Sequence, residues 1–257
     1  MNLPPPTVLA VIPARYASTR FPGKPLHLLA GKTMIERVYR QVQQATLVTH
    51  LLVATDSPQI ATHVQLFGGN VSISTQPHKT GTDRCLEAAA TSSIRPDILI
   101  NIQGDEPLVN PQQIDELLAF MIAHPQVPIG TLVQQNNNPE TIFNPNTVKV
   151  VVNHNHQALY FSRHPIPYLR DTPIQHWTEQ HTYYQHIGMY AFRQHILPIL
   201  QNLPETTLEK AESLEQLRWL QHGYSIGVAH SAFQSAMSVD TPEDALKVTA
   251  ILLQNNL

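Results

Sequence analysis

At 257 residues, with 42% hydrophobic content, the chain can bury a full core as one large α/β domain or as two small ones. Its formal net charge of -3 and pI near 6.5 weigh against a nucleic-acid coat or a polybasic membrane surface and leave small molecules as the expected partners. The single cysteine, Cys85, permits no intrachain disulfide, the start from Met1 to Pro6 lacks the pattern of a signal peptide, and no apolar run reaches transmembrane length. The expected location is the cytoplasm.

In chain order, Val8 to Ile12 reads as a strand, Met34 to Gln44 as a helix, His50 to Ala54 as a strand and Pro58 to Phe67 as a helix. Asn70 to Ser74 follows as a strand, Asp83 to Ala90 as a helix and Asp97 to Ile102 as a strand. Such β-α alternation predicts an α/β fold with a mostly parallel sheet, whose ligands bind beyond the carboxyl ends of the strands. Ser57-Pro58, Asn110-Pro111 and Thr241-Pro242 each place a capping side chain before a first-turn proline, and Gly68-Gly69 and Gly223 mark helix ends.

From Gly130 to Met189 the pattern turns to strands, with Val148 to Val152, Leu159 to Ser162 and Ile187 to Phe192 around a proline-rich connection from Pro165 to Pro173. We expect one domain over 1-257 carrying an inserted sheet region at about 130-190. His154-Asn155-His156 suits a hairpin turn and has no third residue in register for a zinc site. A single helix is expected from Leu208 to His222, with Leu208, Ala211, Leu214 and Leu217 as its apolar stripe. Ser225 to His230 then reads as a strand and Pro242 to Gln254 as a closing helix.

Four segments could carry chemistry. The loop from Pro13 to Leu26, after the first strand, offers Arg15, Arg20 and Lys24 with the hydroxyls of Ser18 and Thr19, which suits a triphosphate. It lacks Walker A spacing, and its residue types equally describe a solvated basic loop. Gln103-Gly104-Asp105-Glu106-Pro107 ends a strand with a carboxylate placed for a hard cation, although turns also use Gly-Asp. In Val239-Asp240-Thr241-Pro242-Glu243-Asp244, the cap explains Thr241 and Asp244 but leaves Asp240 over. Thr75 to Arg84 is a polar loop leading into a helix with Thr82 as its expected cap, either an anion or base site or an ordinary capped turn.

In combination, Ile12-Pro13-Ala14-Arg15-Tyr16-Ala17-Ser18-Thr19-Arg20, Pro22-Gly23-Lys24-Pro25-Leu26, Ala54-Thr55-Asp56 and Gln103-Gly104-Asp105-Glu106-Pro107 resemble the 3-deoxy-manno-octulosonate (Kdo) cytidylyltransferases, or CMP-Kdo synthetases. Phe143 to Val150, Ala158 to Arg163, His186 to Tyr190, Leu214 to Arg218 and Val239 to Asp244 continue the resemblance in order. It implies a Rossmann-like nucleotidyltransferase fold, a homodimer built partly through the inserted sheet, magnesium (Mg2+) as cofactor, and transfer of CMP from CTP to Kdo for lipopolysaccharide synthesis. By similarity, Ala14, Arg15, Lys24, Thr80, Gly81, Gln103 and Asp105 would bind nucleotide, with Arg15 and Lys24 on its triphosphate. Asp105 and Asp240 would hold metal, and Gln103, Arg163, His186, Tyr190, Glu215 and Gln216 would line the Kdo site. Thr80 and Asp83 stand where the family more often has Ser and Glu, Phe21 stands for a more usual leucine, and Gln234 to Ser238 replaces a glycine-rich approach to Asp240.

Overall fold

The computed structural model describes residues 4–17 and 20–255. Two compact units make up the chain, one from Met1–Asp115 with Ser235–Leu257 and the other from Glu116–Gln234.

The first unit begins with β1 (Val8–Ala14), whose near-continuous apolar sequence is buried along almost its whole length, as a strand covered on both faces requires. A short hairpin of β2 (Leu28–Leu29) and β3 (Lys32–Thr33) leads into α1 (Met34–Val42), where the Thr33 side chain accepts the N–H of Glu36. Next come β4 (His50–Thr55), α2 (Pro58–Leu66), β5 (Val71–Ile73), α3 (Gly81–Thr91) and β6 (Ile98–Asn101), and then α4 (Pro111–Ala123), whose residues from Glu116 onward are counted in the second unit. The four strands pair in parallel in the order β6-β1-β4-β5, which is the parallel sheet the sequence predicts.

The expected caps are in place: Ser57 accepts from Ile60 N–H, Asn110 accepts from Gln112 N–H, and Gly68 turns left-handed with φ of 81°. At α3 the expected cap moves back by two residues. Thr80, not Thr82, accepts the N–H of Asp83, and the Asp83 carboxylate returns to the N–H of Thr80. Thr82 is buried in the first turn instead. Thr80 and Asp83 therefore form a reciprocal capping box, the geometry that Ser and Glu at these positions would also make.

The second unit contains β7 (Ile129–Gln135), α5 (Pro139–Ile142), β8 (Lys149–Val152), β9 (Ala158–Ser162), α6 (Trp177–Gln180) and β10 (Tyr184–Arg193). Then follow α7 (Leu197–Leu200), α8 (Thr207–Glu212), α9 (Gln216–Gln221) and β11 (Ile226–His230). β10 runs antiparallel to β7 and, at Gln185, to β8, while β8 and β9 form an antiparallel hairpin and β11 lies parallel to β7. His154-Asn155-His156 is the hairpin turn, with His156 at φ of 55°. Finally α10 (Pro242–Gln254) returns to the first unit, capped by Thr241 in a box with Asp244.

The single helix expected from Leu208 to His222 is broken. Ser213 adopts a left-handed φ of 52° between α8 and α9, and the fork of Arg218 folds back onto Glu209 at 2.7 and 2.6 Å. The apolar stripe misled because only its second half is core: Leu214 and Leu217 are buried, Leu208 and Ala211 are not.

Candidate active site

At the carboxyl end of β1 the chain loops out and returns at Gly23, whose N–H donates to Tyr16 O at 3.1 Å and whose φ of 69° needs a residue without a Cβ. The next residue, Lys24, opens a 3-10 turn to Leu26 and is thereby fixed at the strand end. Ser18 and Thr19 of this loop lie outside the described residues.

Burial places the far end of the chain beside Lys24. Phe21, Leu29 and Met34 pack with Val239 and with Ala245, Val248 and Leu252 of α10 in one apolar cluster, to which Met237 adds its side chain. Phe21, where the family more often has leucine, is thus a core residue. With Val239 fully buried and its N–H donating to Asp105 O at 2.8 Å, the adjoining Asp240 is delivered to the same place as Asp105. Lys24 Nζ donates to Asp105 Oδ2 at 2.8 Å, to Val239 O at 2.9 Å and to Asp240 Oδ1 at 3.3 Å, and Arg20 reaches Asp240 Oδ1 at 3.2 Å.

Close packing also fixes the β6 end of the site. A Cβ on Gly104 would stand 2.5 Å from Pro13 O, so only glycine lets the Gln103-to-Glu106 turn lie against the end of β1. Burial, followed by the charge of Asp105, pushes the Glu106 carboxyl up to about 8. Glu106 is therefore the neutral member of this pair at neutral pH.

On the other side of β1, the capping box holds Thr80 and Gly81 at the start of α3. The His78 Nε2–H donates to Glu87 at 2.6 Å and shapes the loop before it. Burial alone would raise Glu87, but hydrogen bonds from His78, Thr75 and Ser74 outweigh it and bring the carboxyl down to about 2. Arg84, one turn along α3, donates from NH2 to Asp56 Oδ2 at 2.8 Å just beyond β4.

Lys24, His78, Arg84, Gly104, Asp105 and Asp240 are among the residues that line a cleft of about 470 Å³ in the first unit, a volume suited to a small ligand. Every first-unit site residue expected from the sequence borders it: Ala14, Arg15, Lys24, Thr80, Gly81, Gln103, Asp105 and Asp240. Arg20, Lys79 and Arg84 join Arg15 and Lys24 there, so Arg and Lys side chains outnumber the carboxylates Asp105 and Asp240, a charge pattern for a polyanion. From the sequence, Arg20 counts among the loop's cations, and Lys79 and Arg84 belong to the Thr75-to-Arg84 segment read as an anion or base site or a capped turn, none of the three with a role of its own.

The residues expected to meet the sugar, Gln103 apart, belong to the second unit. His186 and Tyr190 on β10 pack 5.3 Å apart, ring centre to ring centre, and Tyr190 meets Trp219 of α9 edge-on at 4.9 Å. Glu215 precedes α9 and Gln216 is buried within it. Burial, then the Glu215 charge, holds the Tyr190 phenol well above its ordinary value, and its hydroxyl is buried with no hydrogen-bond partner among the described residues. Burial pushes the His186 imidazole down to about 3, so the ring is neutral. Because Thr131 Oγ1 donates to Met189 O at 2.8 Å, the 2.9 Å contact with His186 makes Nε2 the protonated nitrogen and leaves Nδ1 as an acceptor.

Arg163 meets this group through the backbone. Its Nε donates to Glu212 O at 2.7 Å, NH1 to Pro145 O at 3.0 Å and NH2 to Ser213 O at 3.3 Å, closing the α8–α9 junction. Beneath it the fully buried Lys149 ammonium donates to the carbonyls of Asn144, Thr147 and Arg163.

A family model described as Cytidylyltransferase matches residues 9–226. Over 244 residues the chain is 50% identical to the 3-deoxy-manno-octulosonate cytidylyltransferase of Cytophaga hutchinsonii, a match covering 95% of this chain and 96% of that protein. The chain belongs to the 3-deoxy-manno-octulosonate cytidylyltransferase family. The family's Parabacteroides distasonis enzyme is 46% identical, with 95% of this chain and 97% of that one covered. A solved CMP:2-keto-3-deoxy-manno-octonic acid synthetase complexed with CTP superposes with a TM-score of 0.90 at 42% identity, covering 97% of this chain and 99% of the other. The Rossmann-like nucleotidyltransferase fold expected for the family is the one observed.

Magnesium can be tested against this donor set. Among the described residues no group of three or more His, Cys, Asp or Glu side chains is arranged to hold a metal ion unaided. Magnesium does not demand one, since it is commonly held by one or two carboxylates completed by substrate phosphates. Asp105 and Asp240 already converge on one positive charge, that of Lys24, and so fit such a site.

Proposed function

We propose that this chain transfers CMP from CTP to the anomeric 2-hydroxyl of Kdo, giving CMP-Kdo and pyrophosphate, an activation step for lipopolysaccharide synthesis. The observation that carries this reading is the convergence of Lys24, Asp105 and Asp240 in a cation-rich cleft at the ends of β1 and β6, in a member of this family.

In this reading Arg15, Arg20 and Lys24 bind the triphosphate and neutralise charge on it as the bond to the leaving group breaks. Thr80, Gly81 and the loop before them face the nucleoside. The sugar hydroxyl attacks the α-phosphorus, a new O–P bond forms, the bond to pyrophosphate breaks and the hydroxyl proton is released. Magnesium, held by Asp105 and Asp240, would supply further charge neutralisation at the phosphate oxygens. Lys24 orders both carboxylates and remains close enough to share in that role.

His186, Tyr190, Glu215 and Gln216, with Gln103 and Arg163, are assigned to the sugar. The unpartnered Tyr190 hydroxyl and the acceptor Nδ1 of His186 suit a polyhydroxylated ligand. Three of the five N–H donors of Arg163 are on backbone carbonyls, which leaves two for the sugar carboxylate. A homodimer through the inserted sheet is supported by the exposed Leu159 on β9, a strand that pairs only with β8 among the described residues. A cytoplasmic location is supported by the lone buried thiol, Cys85, and no helix among the described residues is long and apolar enough to cross a membrane.

The test is pyrophosphate release on mixing the protein with CTP, magnesium and Kdo, with the sugar product identified by mass. Release that requires Kdo, and that falls by orders of magnitude when ATP, GTP or UTP replaces CTP, is the expected result. Equal turnover of a sialic acid, or none of Kdo, would overturn the substrate assignment.

A further inference from the structure

Arg84 is 4% exposed, so its guanidinium has left bulk water. Its NH2 is held by Asp56, but its NH1 is buried with no hydrogen-bond partner among the described residues, and the residue borders the nucleotide cleft. A guanidinium cannot shed its charge by deprotonating, so an unmet N–H here is a standing cost to the fold. Holding α3 to β4 does not explain it, because the Asp56 side chain is 45% exposed and a pair with so solvated a partner contributes little.

Sheet order locates this donor. Asp56 follows β4 and Asp105 follows β6, with β1 between them. Two strand spacings, roughly 10 Å, therefore separate Arg84's anchor from the carboxylates that serve the phosphates. Arg84 lies one turn along α3 from Thr80 and Gly81, the residues assigned above to the nucleoside, and borders the same cleft.

Resting on the nucleotide reading above, we propose that Arg84 is a base-binding residue whose NH1 donates to an acceptor on the pyrimidine ring, its O2 edge, and that Asp56 is the positioning residue that holds the guanidinium for it. A ligand acceptor satisfies the buried donor that the protein leaves open. The charge of Arg84 also favours a ring with an exposed carbonyl oxygen over one without.

The experiment measures binding of CTP and of ribose 5-triphosphate, which keeps the phosphates and lacks the base, by calorimetry with wild type, Arg84→Gln and Asp56→Asn. Arg84→Gln should bind CTP about ten- to a hundredfold more weakly, as loss of a charge-assisted bond implies. Ribose triphosphate should bind wild type and variant alike, and KM for Kdo at saturating CTP should not move. Asp56→Asn should weaken CTP several-fold with the same indifference to the base-free ligand, and Asp56→Glu should restore part of the loss.

Equal CTP affinity in wild type and Arg84→Gln would overturn the proposal, and so would a parallel loss for both ligands, which would put Arg84 on the phosphates. If Arg84→Gln does not fold, the half-exposed Asp56 decides: unchanged CTP affinity in Asp56→Asn overturns the proposal. A wild type that binds no CTP refutes the nucleotide reading itself and is separate from every outcome at Arg84.

Discussion

Asp105 and Asp240 meet on one ammonium: Lys24 Nζ lies 2.8 Å from a carboxylate oxygen of the first and 3.3 Å from one of the second. The two aspartates come from opposite ends of the chain and are joined through Val239, whose N–H and carbonyl bind Asp105 O and Lys24 respectively. Lys24 is 15% exposed and is paired with both carboxylates, so loss of either one leaves it a compensating charge on the other.

Asp105→Asn and Asp240→Asn should each lower kcat by about 10²–10³, the usual loss for a removed electrostatic stabiliser. An amide keeps the volume and the turn, so the thermal midpoint should stay within a few degrees of wild type. Steady-state kinetics across a magnesium titration check this. Near-normal turnover of either variant at limiting magnesium would exclude a shared metal site.

Gly104→Ala should damage the site through the backbone. The added Cβ would stand 2.5 Å from Pro13 O, a contact neither backbone can accept without moving. Overpacking of this kind costs about 1–3 kcal/mol, and the displaced turn carries Gln103 and Asp105 with it. A lowered thermal midpoint together with at least a tenfold fall in kcat/KM for CTP is expected; wild-type kinetics would show that the turn has room to shift.

Most of the first unit was legible because its strands and helices are punctuated by chemistry the sequence displays, such as Ser57-Pro58, Asn110-Pro111 and Thr241-Pro242. What escaped depends on tertiary partners. Strand β7 carries Gly130 and Thr131 within its apolar run and ends in glutamines, so alternation is blurred where the sheet, not propensity, fixes the strand. The break at Ser213 is imposed by contacts of Arg163 and Arg218 that no local periodicity encodes. In the cleft, spacing alone leaves Asp240 over because its partner, Lys24, is far away in sequence, and it places Arg84 in a candidate segment without showing that its side chain is buried.

His186 gives a pH signature. Its folded value of about 3 lies below the ordinary 6.5, so between these values the unfolded chain takes up a proton that the folded chain refuses. Stability from the neutral ring is therefore complete above about pH 6.5 and declines as pH falls toward 3. Urea unfolding at pH 7 and at pH 4.5 should show a smaller acid-induced loss in His186→Gln than in wild type. By NMR the His186 ring should not titrate between pH 5 and 8, and a midpoint near 6.5 would refute the neutral assignment.

Arg163→Ala separates scaffold from sugar contact. Truncation removes three hydrogen bonds to the carbonyls of Glu212, Pro145 and Ser213, each worth about 1 kcal/mol net, so the thermal midpoint should drop by several degrees. Because those bonds close the α8–α9 junction that precedes Glu215 and Gln216, KM for Kdo should also rise by about tenfold or more. CTP affinity should be unaltered, since neither Arg163 nor its partners Glu212, Pro145 and Ser213 are among the residues bordering the nucleotide cleft. Arg163→Lys discriminates further: a single ammonium lacks the planar fork whose Nε, NH1 and NH2 each reach a different one of these carbonyls, so it should recover little of either loss. Kinetics at saturating CTP, read beside calorimetric CTP binding, decide the matter. An unchanged KM for Kdo in Arg163→Ala, with only the midpoint lowered, would remove Arg163 from the sugar site and leave it as a brace for the junction.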